Sequence, residues 1–241
     1  MYIPAMPLSD SGRKDPSMMG TSAYERVPLD FYPTPDSAID SLFEVIADDL
    51  PSYQVWEPFC GDGAISKRMG DARNLVSTDI KAYPGFDPDG LFDFFQFVTQ
   101  AEATERYNAW RAAHPDPDNA TWNDATTLDW VTALKGFTPD AIITNPPYGK
   151  DAEKAARHAL KLMEEQKGLV AFLCRHEWDC AKSRSDLFDH PAFTMKITLR
   201  HRPRWIAGSD GAPRFPYSWF IWNFTKAYLA PHARPELVYA K

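Results

Sequence analysis

The 241-residue sequence predicts a single α/β domain built on a mostly parallel sheet with helices on both faces. Three observations carry this prediction. Short runs of β-favouring residues alternate along the chain with longer runs of helical period. The first strand-like run ends in a glycine-containing turn that opens a helix, the arrangement of a doubly wound nucleotide-binding sheet. The final strand-like run, Tyr217 to Phe224, is nearly all large and apolar (Trp219, Phe220, Ile221, Trp222), as a buried strand should be.

In chain order, residues 1–28 are rich in Met, Ser, Pro and Gly and read as a loose tail, leaving 29–241 for the domain. Ala38, Ile39, Leu42, Phe43 and Ile46 recur at helical spacing and form one apolar face. Thr34 suits the N-cap of that helix and Pro35 its first position, which leaves Phe31 and Tyr32 free to pave a pocket. Val55 and Trp56 form a short strand that meets Glu57, then a turn at Gly61 and Gly63. Ala64 to Met69 is helical, with Asp62 suited to its N-cap. Leu75 to Thr78 reads as a second strand ending at Asp79.

Residues 90–113 read as one long helix with Phe92, Phe95, Thr99, Ala103, Tyr107 and Trp110 along a face, inside an otherwise irregular, proline-marked insert near 83–120. Ala141, Ile142 and Ile143 favour a strand running into a polar loop. From Asp151 to Gln166 a helix would bury Ala152, Ala155, Ala156, Ala159, Leu160 and Met163, with His158 on its solvated side. Gly168 to Leu173 is the fifth strand, ended by Cys174, and Met195–Leu199 and Tyr217–Phe224 are the last two.

Composition narrows the function. Apolar residues make up 44% and aromatics 14%, enough for a sizeable core. No run approaches the roughly 18 apolar residues of a membrane span, and the N-terminus lacks a signal-peptide pattern. Three cysteines without framework spacing fit a reducing cytoplasm. The spacing of Cys174, His176 and Cys180 fits no zinc pattern, so no metal site is expected. A net charge of −7 and a pI near 5.4 argue against strong nonspecific binding to nucleic acid. A local basic segment survives that argument. Arg200-His201-Arg202-Pro203-Arg204-Trp205, followed by Arg214, interleaves cations with an aromatic as nucleic-acid surfaces do, although a solvated hairpin rim has the same composition.

The most informative stretch is Asn145-Pro146-Pro147-Tyr148. An exocyclic amine on a nucleobase is a poor nucleophile because its lone pair is delocalised into the ring. Accepting hydrogen bonds from both of its N–H groups localises that lone pair. Asn145 supplies an amide oxygen. Pro146 supplies a carbonyl pre-aimed by its fixed φ, and Pro147 stiffens the loop. Tyr148 offers a ring on which a base can stack, worth roughly 1–3 kcal/mol. Upstream, Asp79 lies sixteen residues after Gly63, at a strand end, where an acidic residue suits the two hydroxyls of a ribose. Glu57 sits where a cationic ligand group would lie.

On Tyr32-x-Thr34-Pro35, on Glu57-Pro58-Phe59-Cys60-Gly61-Asp62-Gly63 and on Asn145-Pro146-Pro147-Tyr148, in that order, the chain resembles the S-adenosylmethionine-dependent amino-methyltransferases. The likeness is greatest to the DNA adenine-N6 methyltransferases and runs from about residue 30 to residue 224. It implies a class I methyltransferase domain with a seven-stranded sheet closed by an antiparallel pair. It implies S-adenosylmethionine as cofactor, with Phe59, Cys60, Gly61 and Gly63 around its methionine part, Asp79 on the ribose, Ile80 against the adenine, and Tyr32, Thr34 and Pro35 flanking the methionine end. An acidic residue after the third strand would contact the cofactor adenine, and Asp124 is preferred for it over Asp93. Glu57 stands where the family more often has Asp. Asn145, Pro146, Pro147 and Tyr148 would hold the target base, flipped out of DNA. Cytosine N4, a ribosomal RNA base and a glutamine side chain pose the same chemical problem and remain alternatives. So does a binding protein of the same fold without turnover.

Overall fold

A computed structural model describes residues 32–48, 50, 54–70, 74–114, 138–205 and 215–240. Its strands are β1 (Gln54–Glu57), β2 (Asn74–Asp79), β3 (Gly90–Leu91), β4 (Ala141–Thr144), β5 (Leu169–Arg175), β6 (Phe193–Thr198), β7 (Tyr217–Asn223) and β8 (Glu236–Tyr239). Its helices are α1 (Asp36–Ile46), α2 (Ala64–Met69), α3 (Gln100–Ala113), α4 (Lys150–Gln166), α5 (Ser185–Phe188) and α6 (Phe224–Leu229).

One sheet runs in the order β3-β2-β1-β4-β5-β7-β6-β8. Strands β3, β2, β1, β4 and β5 are parallel neighbours. β7 alone runs against its neighbours, pairing antiparallel with β5 from Leu169↔Asn223 to Arg175↔Tyr217 and with β6 on its other side. The predicted α/β class, mostly parallel sheet and closing antiparallel pair are therefore observed. An eighth strand is added, since β8 pairs parallel with β6. Glu236–Tyr239 is too short and too exposed an edge to have shown a buried-strand pattern.

The side-chain period of two divides the central strands between two cores. Val55, Ala141, Ile143, Ala171, Trp219 and Ile221 pack with the apolar face of α1 and with Ile65 and Met69 of α2. Trp56, Ile142, Val170, Phe172, Phe220 and Trp222 pack on the opposite side with the alanine-rich face of α4. Strands buried on both faces cannot leave polar edges unpaired, and their indoles find partners. Trp219 Nε1 donates to the Ala38 carbonyl and Trp222 Nε1 to the Leu187 carbonyl, each at 2.8 Å.

The predicted helix over 90–113 is three elements. Asp93 accepts from Phe95 N at 3.0 Å and starts a short 3-10 turn, Phe94–Gln96. Phe94 is then buried against Trp56 and Phe59, with ring centroids 5.2 and 5.0 Å apart. α3 begins only at Gln100, where Thr99 and Glu102 form a capping box. The apparent stripe was composite: its first phenylalanines belong to the core, Thr99 is a cap, and Tyr107 is 52% exposed. Cys174 lies inside β5 rather than beyond its end. His158 is not on a solvated side. It is half-buried, edge-on to Phe94 at 4.9 Å, and burial holds its pKa below the usual histidine range.

Candidate functional site

The chain leaves β1 towards β2 on one side and returns to β4 on the other, so the crossovers diverge between β1 and β4. That divergence opens a crevice beyond the carboxyl ends of the strands. Glu57, Asp79 and Asn145 stand at or just beyond the ends of β1, β2 and β4.

On the β1–β2 side, backbone bonds fix the glycine turn. Cys60 N donates to the Thr78 carbonyl at 3.0 Å, and Gly61 N donates to Asp79 Oδ2 at 2.9 Å. Asp79 Oδ1 also accepts from Lys81 N at 3.3 Å. The N-cap of α2 is Gly63, at φ +73°, with no side-chain cap, so Asp62 does not take the capping place predicted for it. A left-handed backbone there favours glycine over any residue with a Cβ. Phe86 from the following loop lies against that glycine, its ring 2.4 Å from where a Cβ would stand. Gly63→Ala is expected to destabilise the protein by about 1–3 kcal/mol, from the positive φ and the clash together, read as a shift of the denaturation midpoint.

Glu57 is 2% exposed and Asp79 8%. Glu57 Oε2 accepts from Ser66 N at 2.9 Å and from the Ser66 hydroxyl. Burial nevertheless dominates and pushes the Glu57 carboxyl up to about 8, with Asp62 and Asp79 adding to the rise. Burial likewise raises Asp79 and holds the Cys60 thiol well above its ordinary range, so Cys60 is a neutral wall. Phe59 is anchored on Phe94 and Phe95. Ile80, 56% exposed beside Asp79, is an apolar ledge open to solvent. Two buried carboxylates, a turn of close backbone and an apolar ledge fit a ligand with hydroxyls, a cationic group and a flat ring.

On the β4 side, Asn145 is held at both ends of its amide. Nδ2 donates to the Tyr32 carbonyl at 3.3 Å and to Thr34 Oγ1 at 3.2 Å. Oδ1 accepts from the Tyr148 hydroxyl at 3.1 Å. Thr34 therefore does not cap α1. The N-cap is Pro35, whose carbonyl accepts from Ala38 N at 2.9 Å, and the helix begins one residue later than predicted, at Asp36. The buried Thr34 hydroxyl is drawn instead to an amide 111 residues away. Burial keeps the Tyr148 phenol well above its usual pKa, so it stays protonated and able to donate.

Four rings gather at this end. Tyr148 lies 6.0 Å from Tyr32, 6.2 Å from Trp205 and 6.2 Å from Tyr217, and Trp205 lies 4.7 Å from Tyr217. Sequence reasoning missed Trp205 and Tyr217 as parts of the site. The signal for Trp205 was visible as an aromatic inside the arginine-rich run. Arg200, Arg202 and Arg204 are exposed just ahead of it, and 206–214 lie outside the described residues. Phe31 and Asp124 also lie outside them. Asp93, the alternative to Asp124, serves the 3-10 turn. Among the described residues no cluster of three or more His, Cys, Asp or Glu could hold a metal ion, and no helix is long and apolar enough to cross a membrane.

No protein-family model matches the sequence, and neither does any curated protein. Solved structures do. LlaBIII, an ATP-dependent Type ISP restriction-modification enzyme solved bound to DNA, aligns over 87% of this chain and 20% of its own, with 11% identity and a TM-score of 0.50. A Pyrococcus horikoshii protein inferred to be an RNA methyltransferase aligns over 83% of this chain and 90% of its own, at 13% identity and a TM-score of 0.46. A Listeria monocytogenes protein inferred to be a class I S-adenosylmethionine-dependent methyltransferase aligns over 86% and 64%, at 12% identity and a TM-score of 0.39. The chain thus spans a fifth of LlaBIII and under two thirds of the Listeria protein. Sheet order and the likeness to LlaBIII together make this a Rossmann-like α/β fold, a mostly parallel sheet with one antiparallel strand.

Proposed function

We propose that this chain transfers a methyl group from S-adenosylmethionine to an exocyclic amine of a nucleobase, with N6 of adenine in DNA as the favoured target. One observation carries the reading. The carboxylate-bearing glycine turn after β1 and the Asn145 amide after β4 lie on neighbouring strands at one sheet edge, with the acceptor end of the amide among four aromatic rings. The carboxylates and the turn would hold the methyl donor, Asp79 at its ribose, Ile80 at its adenine and Glu57 near its cationic end.

S-adenosylmethionine supplies a methyl carbon already bonded to a cationic sulfur, so the task left to the protein is alignment. Asn145 Oδ1 and the Pro146 carbonyl accept the two N–H groups of the target amine and localise its lone pair. Tyr148 stacks on the base, worth roughly 1–3 kcal/mol. The Tyr148 hydroxyl donates to Asn145 Oδ1. Entry of the amine replaces that bond with its own and frees the ring to lie on the base. For a duplex the base must be flipped out, and Trp205, Tyr32 and Tyr217 would replace lost stacking. The exposed arginines before Trp205 would hold phosphates at the mouth.

Four rings around the acceptor favour a flat base over a glutamine side chain. A base in RNA or cytosine N4 fits the same wall and forms the second reading. The deciding experiment supplies the protein with S-adenosylmethionine labelled in its methyl group and offers duplex DNA, single-stranded DNA, RNA and cell protein in parallel. Digestion to nucleosides should yield labelled N6-methyladenine from DNA. Label in methylglutamine instead would reject the proposal.

A further inference from the structure

We infer that Thr34 and the Tyr32 carbonyl are positioning groups that fix which end of the Asn145 amide meets the substrate amine. This rests on the amine-methylation reading above and deepens it. A primary amide is two-ended: its oxygen accepts and its NH2 donates, in nearly the same shape. Only the oxygen end can take an N–H from an amine. Rotated by half a turn, Asn145 would face that amine donor to donor.

Chain geometry removes the ambiguity. A backbone carbonyl only accepts, so the Tyr32 carbonyl, 3.3 Å away, can be satisfied only by Nδ2. Thr34 Oγ1 takes a second bond from the same nitrogen at 3.2 Å. With both acceptors at one end, Oδ1 is left at the other, where the Tyr148 hydroxyl meets it. The clamp itself is held from two sides. Pro35 caps α1 immediately after Thr34, and Trp219 Nε1 donates to the Ala38 carbonyl within the first turn of that helix. Thr34 is 8% exposed, so water does not compete strongly for its hydroxyl. The arrangement also explains why this position is Asn and not Asp. A carboxylate would set an anionic oxygen against the Tyr32 carbonyl.

The test is Thr34→Val, which keeps the shape and removes the acceptor, beside Thr34→Ser, which restores it. Thr34→Val should lower kcat about tenfold, the worth of one neutral hydrogen bond in orientation. KM for DNA should stay unchanged, and Thr34→Ser should recover most of the rate. The side-chain NH2 signal of Asn145, followed by NMR hydrogen exchange without substrate, should exchange faster in Thr34→Val and as slowly as wild type in Thr34→Ser. A wild-type rate and unchanged exchange in Thr34→Val would overturn the inference, as would a loss confined to cofactor affinity. Should the wild-type protein methylate no amine, the proposed function fails while the exchange measurement still decides the clamp: acceleration supports it and unchanged exchange rejects it.

Discussion

Asn145→Ala is expected to lower methyl transfer on the order of 10²–10³-fold while leaving S-adenosylmethionine affinity essentially unchanged. The size follows from what is lost. A preorganised partner aimed at the reacting group is worth far more in the transition state than in the bound ground state. Asn145 is preorganised by three contacts, to Tyr32, Thr34 and Tyr148, whereas the glycine turn is held by Thr78 and Asp79. Removal therefore leaves Gly61, Asp79 and Glu57 as they are. Single-turnover transfer with labelled cofactor measures the first effect and titration calorimetry the second. A variant that loses affinity rather than rate would place Asn145 on the cofactor side of the crevice.

The second large effect is a pH dependence centred on Glu57. Its carboxyl is raised from an ordinary 4.5 to about 8 by burial, so the folded protein holds a proton that the unfolded chain releases. The stabilisation this gives is complete below pH 4.5 and is lost as pH rises through about 8. The loss is on the order of a few kcal/mol. Glu57→Gln keeps an acceptor for Ser66 without a titrating proton. Its melting temperature should be flat across that window and exceed that of wild type above pH 8. Binding reverses the preference, because a cationic ligand favours the ionised carboxylate. S-adenosylmethionine affinity should therefore rise with pH up to about 8 in wild type. Calorimetry in buffers of different ionisation enthalpy should show proton release on binding, absent in Glu57→Gln. A wild-type melting curve indifferent to pH between 5 and 8 would refute a neutral Glu57.

What the sequence disclosed and what it hid divide along the range of the forces. β4, β5 and β7 were legible because burial on both faces demands unbroken apolar runs such as Leu169–Cys174. The glycine turn was legible because positive φ restricts the residue type at Gly61 and Gly63. The errors came where a distant partner outweighed a local preference. Thr34 before Pro35 satisfies every local rule for a helix start, yet its hydroxyl is taken by Asn145. Phe92 and Phe95 sit at helical spacing from Thr99 and Ala103, yet aromatic packing behind the glycine turn holds the first segment and a capping box opens the second. Trp205 and Tyr217 joined the site through contacts that no spacing announces. Residue type marks the loops, and distant partners decide what each hydroxyl does there.

The bond from Trp219 to Ala38 closes a loop of 181 residues. It has a consequence for the order in which the protein is made. β7 follows β4, β5 and β6 in the chain, yet it fills the gap between β5 and β6 and props the helix that follows Tyr32 and Thr34. Until it arrives, β5 presents a bare apolar edge. A nascent chain of this protein therefore carries its glycine turn and its amide loop before the strand that braces them, the strand whose Tyr217 ring comes to lie beside Tyr148.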